Sequence, residues 1–346
     1  RKYFRYSDRT TRDVIMDIFN DEKILGVLCG QWGDYGLPPG KSSFAMHATV
    51  VRHYLNGGNY PIGTSRRIAE TSVEYLESLG GKLYVNAGVD EILTQKGKTC
   101  GVRLKKGDEI YAPIVISSSG VMNTFGKLLR NSPNYKNYSL RLETVTPTPS
   151  YVCLYMGLNK SVEELRISNT NLWIYPGYNH DQNLNSFMNN PKIDFPVVYV
   201  SFPSAKDPLY CKEHPNSSTM EAITISPWEY YHKWRDKPWK NRGDDYEKLK
   251  SEISRRILEK VYEYVPNSKE AMDYHELSTP LSVKSMANYQ KGELYGINHD
   301  SSRFHQRWLR PQTDIKNLYL TGQDIITVGV TSALFSGLLT ASSILN

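Results

Sequence analysis

None of the 24 glycines is separated from another by a single residue, so the sequence has no Gly-x-Gly. It therefore lacks the turn with which a nucleotide-binding βαβ unit grips a pyrophosphate. Cysteine is scarce as well. Cys29, Cys100, Cys153 and Cys211 lie far apart, no Cys-x-x-Cys occurs, and the eight histidines are scattered. Structural zinc and thioredoxin-type redox chemistry have no support, and no metal site is expected. No Gly-x-Ser-x-Gly is present, which removes the commonest local signature of a serine hydrolase. Blocks of one charge sign are missing too: 42 basic and 36 acidic residues are interleaved, for a net charge of +6. A nucleic-acid partner is not expected, while mild basicity suits an anionic membrane surface. There is one long uncharged run, residues 328–345, and it just reaches spanning length. Eight of its eighteen residues are Gly, Ser or Thr, and its flanks carry no aromatic or basic anchor. A buried helix with small residues on its packing face is expected there.

What is abundant is tyrosine, 25 in 346 residues. Such aromatics suit half-wet surfaces and pockets for large flat ligands. The length predicts about two domains. Arg1 opens the sequence with no apolar signal region behind it, so a fragment or a mature product is expected. After the turn-rich residues 57–63, Thr64 or Ser65 can cap a helix whose apolar stripe is Ile68, Ala69, Val73, Leu76 and Leu79, ended by Gly80-Gly81. Strands are expected at 83–86, 89–94, 101–104, 109–111 and 114–116. The middle of the chain predicts strands at 150–157, 172–175, 197–202 and 222–226, then a long amphipathic helix over 244–264. Strands gathered in one stretch point to a mainly antiparallel sheet and a second, α+β domain. A last strand at 317–322 leads through Gly322-Gln323-Asp324 to a helix opening at Gly329. Strand, Gly-x-Asp, loop and a helix starting at glycine form a grip for phosphate or polyol, since the helix end offers free N–H groups. Tight packing of small residues explains the same pattern equally well.

The wider context favours the grip. NLYLTGQDIITVGVTSALFSGLLTAS (317–342) resembles the C-terminal flavin-contact motif of the phytoene desaturase, carotenoid isomerase and retinol saturase flavoprotein family. GGNYPIGTSRRIAETSVEYLESLGGKLYVNAGVDEI (57–92) resembles an internal motif of that family, and ISSSG (116–120) sits where the family returns to its flavin domain. SSFAMHATVVRHYLNGG (42–58) and LYGINHDSSRF (294–304) are most similar to the retinol saturase branch.

The resemblance implies an α/β FAD-binding domain, Rossmann-like but incomplete because its first βαβ unit is missing. Into it is inserted an α+β substrate domain containing an antiparallel sheet. The implied segments are 1–56 (substrate-domain helices), 57–125 (FAD domain), 126–290 (substrate domain) and 291–346 (FAD domain). The missing Gly-x-Gly-x-x-Gly is the serious departure from the family. Because the other flavin-side motifs keep their detail, we expect the sequence to be a piece of a longer chain.

By the same resemblance Val89 backs the adenine, Gly120 belongs to the returning loop, and Gly322 and Asp324 meet the ribityl and pyrophosphate. Gly329 and Val330 face the flavin ring. The implied activity is a flavin hydride transfer that saturates the 13,14 double bond of all-trans-retinol, with NAD or NADP as the electron source. The implied setting is the endoplasmic reticulum membrane, with a small apolar polyene as ligand. Phe44, Met46, Tyr54, Tyr60, Tyr289 and Tyr295 could line a polyene slot, each with core packing as the plainer alternative. Tyr60, Tyr295, His53 and His299 are the candidate proton donors, of which Tyr60, Tyr295 and His299 are taken as catalytic. Two other functions stay open: a carotenoid desaturase or isomerase, and a non-catalytic fragment without flavin.

Overall fold

The computed structural model describes residues 5–133 and 135–345, so residues 1–4 and 346 of the outer segments lie outside the described residues. Four helices come first: α1 (Thr11–Phe19), α2 (Glu22–Leu28), α3 (Phe44–Tyr54) and α4 (Arg66–Ser78). The Thr10 hydroxyl accepts the Asp13 N–H to start α1, and Asp21 accepts two N–H groups to start α2. Then follow β1 (Val89–Gln95), β2 (Lys98–Leu104), β3 (Glu109–Tyr111), β4 (Val115–Ser117) and α5 (Tyr135–Leu142). The middle holds β5 (Tyr151–Leu158), β6 (Leu172–Ile174), α6 (His180–Asn189), β7 (Val198–Ser201), β8 (Ser218–Ile225), α7 (Asp244–Tyr264), β9 (Met272–Ser278) and α8 (Pro280–Ala287). The chain closes with β10 (Leu318–Leu320) and α9 (Val330–Leu345). Shorter helical turns link these elements.

Among the described residues three sheets result. β1, β2 and β3 form an antiparallel meander. β4 and β10, some 200 residues apart in sequence, pair in parallel with Leu318 beside Val115 and Leu320 beside Ser117. The third is a five-stranded sheet in the order β6-β7-β8-β5-β9, antiparallel throughout, as the clustered strand signals predict. One face of it carries Val152, Leu154, Met156, Val198, Val200, Met220 and Ala222 into a core completed by Ile253, Ile257 and Val261 of α7. This is the helical stripe the sequence spacing predicts. A second core joins Ile92, Phe125, Leu129, Tyr138, Leu318 and Leu320, and Phe125 stacks on Tyr138 with ring centroids 4.0 Å apart.

Several expectations need correction. Residues 83–86 are not a strand: Leu83, Tyr84 and Val85 are exposed, and with no neighbouring strand their N–H and C=O groups have no ladder to join. The apolar stripe of α4 exists but is left largely uncovered, and no residue of that helix is buried. The C-terminal helix does turn small residues inward, since Ser336 and Thr340 are its buried positions. It is not a buried helix, however, because Val330, Leu334, Phe335 and Leu338 stand in the open. β9 was not anticipated. It is an edge strand whose Asp273, Tyr274, His275 and Glu276 are all exposed, so it carries no alternating apolar signal.

Candidate functional site

Alternation along the five-stranded sheet decides what its second face presents. Pairing sets Trp173, Tyr199, Ile223 and Cys153 side by side in one row across β6, β7, β8 and β5. The next row is Ser201, Glu221 and Tyr155. Where the first face is core, these residues are mostly half-buried or exposed, with aromatic rings and polar groups together. Part of this face is roofed by a cluster in which Trp32, Tyr35, Met46 and Val50 pack with Trp173, Tyr175 and Val328. Trp173 and Tyr199 meet at 4.6 Å between ring centroids.

Charge on this face is sparse and sheltered. Asp34 ends the turn Trp32–Asp34, and burial pushes its carboxyl up to about 6. The hydroxyls of Tyr54, Tyr175, Tyr199 and Tyr295 lie within electrostatic reach of it. One row away, burial raises the Glu221 carboxyl while Lys206 holds it back. The Lys206 ammonium donates to Ser201 Oγ at 2.8 Å and sits 5.9 Å from the centre of the Tyr60 ring.

The second part of the site is the C-terminal edge of the parallel pair, where β4 and β10 release their loops side by side. Asp324 is buried there; its Oδ2 accepts the Val121 N–H at 2.8 Å and its Oδ1 the Ile297 N–H at 3.3 Å. Arg303, also buried, donates to the carbonyls of Ile297, Gln323 and Ile326. Burial lowers its guanidinium to about 10, still a cation at neutral pH. Together they knot residues 294–304 to residues 317–326. Gly322 takes φ +100°, a conformation that favours glycine, and gives its N–H to Ser336 Oγ at 2.6 Å. The same hydroxyl lies 2.9 Å from Thr321 Oγ1, and Thr340 Oγ1 donates to the Leu320 carbonyl at 2.8 Å. A seam of hydroxyls thus fastens α9 to the strand end.

The structure brings Gly120, Gly322 and Asp324 together, since a Cβ on Gly120 would stand 3.1 Å from Asp324 Oδ2. Val89 and Ile325 flank one core cluster, and Gly329 and Val330 form the exposed start of α9. Both Asp324 oxygens are taken by backbone donors, so what this loop offers a ligand is chiefly its backbone. Tyr295 lies beside the knot, and Tyr289 Oη accepts from Gln323 Nε2 at 2.8 Å. Tyr60 stands apart from Tyr295, at the Lys206 and Glu221 end of the same face.

His299 is not on that face. It is wholly buried, its Nε2 accepts the Val328 N–H at 3.0 Å, and burial beside Arg303 holds it well below the usual imidazole range. It braces the loop before α9. His47 and His53 both lie on α3, His47 buried and His53 exposed. Met46 is core and Phe44 packs beside Ile15 and Leu25, so neither borders the open part of the face, whereas Tyr54 does. Asp34 and Arg303 were missed. Arg303 lies inside the 294–304 motif and could have been singled out there; Asp34, in Trp-Gly-Asp-Tyr-Gly, carries no periodic or spacing signal.

No protein-family model matches the chain. It is 34% identical over 356 residues to an all-trans-retinol 13,14-reductase of Danio rerio, covering 99% of this chain and 59% of that protein. The Homo sapiens protein of the same name is 32% identical over 355 residues, with 99% of this chain and 58% of the relative covered. A chloroplastic prolycopene isomerase of Arabidopsis thaliana is 25% identical over 302 residues, 86% of this chain and 47% of its own. This chain thus spans somewhat under two thirds of the length of the curated relatives it matches. An oxidoreductase from Methanosarcina mazei superposes with a TM-score of 0.65 at 15% identity, over 97% of this chain and 68% of that one. A putrescine oxidase A394C mutant gives 0.64 at 14% identity, over 99% and 68%. These structures speak to fold alone, and they bear out the α/β part of the expected fold. The resemblance read from the motifs to the retinol saturase branch is borne out along nearly the whole chain.

Proposed function

Taking the chain as a relative of the all-trans-retinol 13,14-reductases over nearly its whole length, we propose that it serves an FAD-dependent oxidoreductase that saturates one double bond of a long polyene, all-trans-retinol first. The observation that carries this reading is the meeting of two surfaces. The glycine loops at the ends of β4 and β10 lie against a broad sheet face lined with aromatic rings, joined through Val328, Tyr289 and Tyr295.

The residues present fit one end of a flavin dinucleotide. The loops at Gly120 and Gly322 and the open helix start at Gly329 and Val330 would hold the ring and ribityl side, with the strand at Val89 lying toward the adenine. No residue here supplies the pyrophosphate cradle. A bound flavin would contribute two-electron hydride transfer. The chain's own share is to hold the polyene along the tyrosine rows, shield it from water, and provide a proton.

The finer architecture belongs to the same reading: an FAD domain built from residues 57–125 and 291–346, with residues 126–290 as the inserted substrate domain and residues 1–56 roofing it. In support, the bare apolar surfaces of α4, residues 83–85, Ile114, Ile116 and α9 all belong to the FAD-domain segments. They are the faces a βαβ unit with the missing cradle would cover. We place NAD or NADP upstream as electron source, and the protein at an endoplasmic reticulum membrane surface where its substrate dissolves. Among the described residues no helix is long and apolar enough to cross a membrane.

The test is to express the full reading frame, purify it with FAD, reduce the flavin without oxygen, and add all-trans-retinol. Loss of retinol with appearance of 13,14-dihydroretinol is expected. A yellow protein that leaves retinol intact but isomerises prolycopene would favour the second reading, motivated by the prolycopene isomerase match. A colourless protein that changes neither would overturn both.

A further inference from the structure

We propose that Asp34 is the proton donor for the double-bond reduction, placed on the aromatic sheet face between Trp173 and Tyr295. This rests on the polyene-reducing reading above. The placement comes from its neighbours in sequence. A Cβ on Gly33 would overlap the Trp173 ring, and one on Gly36 would stand 3.2 Å from Tyr295 Cδ2. Trp32 and Tyr35 are turned wholly into the core, which pins the turn from both sides.

Other sheltered aspartates in this molecule are tied to backbone donors. Asp181 accepts the Gly40 N–H, Asp207 those of Gly63 and Leu209, and Asp324 those of Val121 and Ile297. Asp34 accepts no side-chain hydrogen bond from any described residue, although it is mostly buried. Its oxygens are not among the fully buried polar atoms, so they open to the space over the sheet, where a carboxylic acid beside an apolar ligand is suited to give up a proton. The titratable groups facing it are Tyr35 of its own turn, Tyr54 at the end of α3, Tyr175 after β6, Tyr199 of β7 and Tyr295. All are neutral hydroxyls, so no cation holds the carboxyl ionised. Glu221, by contrast, has Lys206 for a counter-ion and stands in the next row, about 7 Å along the strands.

In the step itself, Asp34 gives its carboxyl proton to one carbon as a hydride, from a two-electron carrier of the flavin class, arrives at the neighbouring carbon. One π bond breaks, two C–H bonds form, and the carboxylate takes a proton back from water.

The experiment compares wild type, Asp34→Asn and Asp34→Glu in the FAD-loaded full-length protein, with three readouts. Single-turnover saturation of all-trans-retinol should fall about 100-fold in Asp34→Asn and recover partly in Asp34→Glu. Retinol binding, followed by quenching of tryptophan emission, should stay within about two-fold if the residue acts on the chemical step alone. The wild-type rate should fall as pH rises through the region near 6, and Asp34→Asn should lose that limb. If Asp34→Asn turns over at the wild-type rate with the same pH limb, or if its loss is wholly one of retinol binding, the proposal fails while the reading stands. A wild type that leaves retinol untouched removes the reading and the proposal with it.

Discussion

His47 is enclosed by Tyr35, whose hydroxyl lies 3.0 Å from Nδ1, and by the Phe44 ring. Burial lowers its imidazole to about 4, below the ordinary value of an unfolded chain. The folded state therefore favours the neutral ring, and this contribution is intact above about pH 6.5 and lost as pH falls toward 4. Between pH 7 and 5 it amounts to about 2 kcal/mol. Urea midpoints at the two pH values should differ by at least this much, and His47→Gln should shrink the difference by about that amount, leaving the share of the buried His299. Equal pH slopes in the two proteins would refute it. At this scale sequence reading reaches residue types better than environments. Tyr60 and Tyr295 do lie on the aromatic face. His299 offers the same chemistry on paper, but a side chain that is 0% exposed cannot meet a ligand on that face. Asp34 is set apart by partners, Tyr54, Tyr175, Tyr199 and Tyr295, that arrive from four separate places in the chain.

Among the elements, α9 turns the usual amphipathic order around, with hydroxyls inward and aliphatic side chains outward. Its attachment depends on Ser336, which serves the Gly322 N–H, Thr321 Oγ1 and the Ala333 carbonyl at once. Ser336→Ala strands a buried N–H and should cost about 1–3 kcal/mol in chemical denaturation. An exposed hydroxyl on the same helix, such as Ser343→Ala, should cost under about 0.5 kcal/mol. If the two substitutions cost the same, the seam does not hold the helix. Local spacing predicted the helices well, because α7 and α4 each keep a 3.6-residue stripe whether or not anything covers it. Strands were less readable. Residues 83–86 have strand composition and no partner, while β9 has a partner and no strand composition, since pairing depends on distant segments.

Across the whole molecule, apolar side chains are exposed in several segments, and Leu76, Leu79, Val85, Leu334 and Leu338 are prominent among them. Exposed apolar surface drives association when nothing covers it. The 346-residue chain alone should bind a dye such as ANS and self-associate, as read by light scattering. Leu334→Glu with Leu338→Glu should reduce both in the isolated chain, yet destabilise the full-length protein if an added unit packs there. A monomeric, dye-silent chain would contradict the bare surface. Motifs at both ends of the sequence announced these segments, but their openness was unreadable, because composition does not reveal whether an apolar stripe has found its complement.

The parallel pairing of Val115–Ser117 with Leu318–Leu320 also sets an order of events. The long stretch of chain between them must be synthesised, and its ends brought close, before these strands can meet, which makes their pairing a late and slow step of folding. A newly made chain would thus complete its larger sheet first, and any ligand seated at this edge would be captured only after β10 and α9 have left the ribosome.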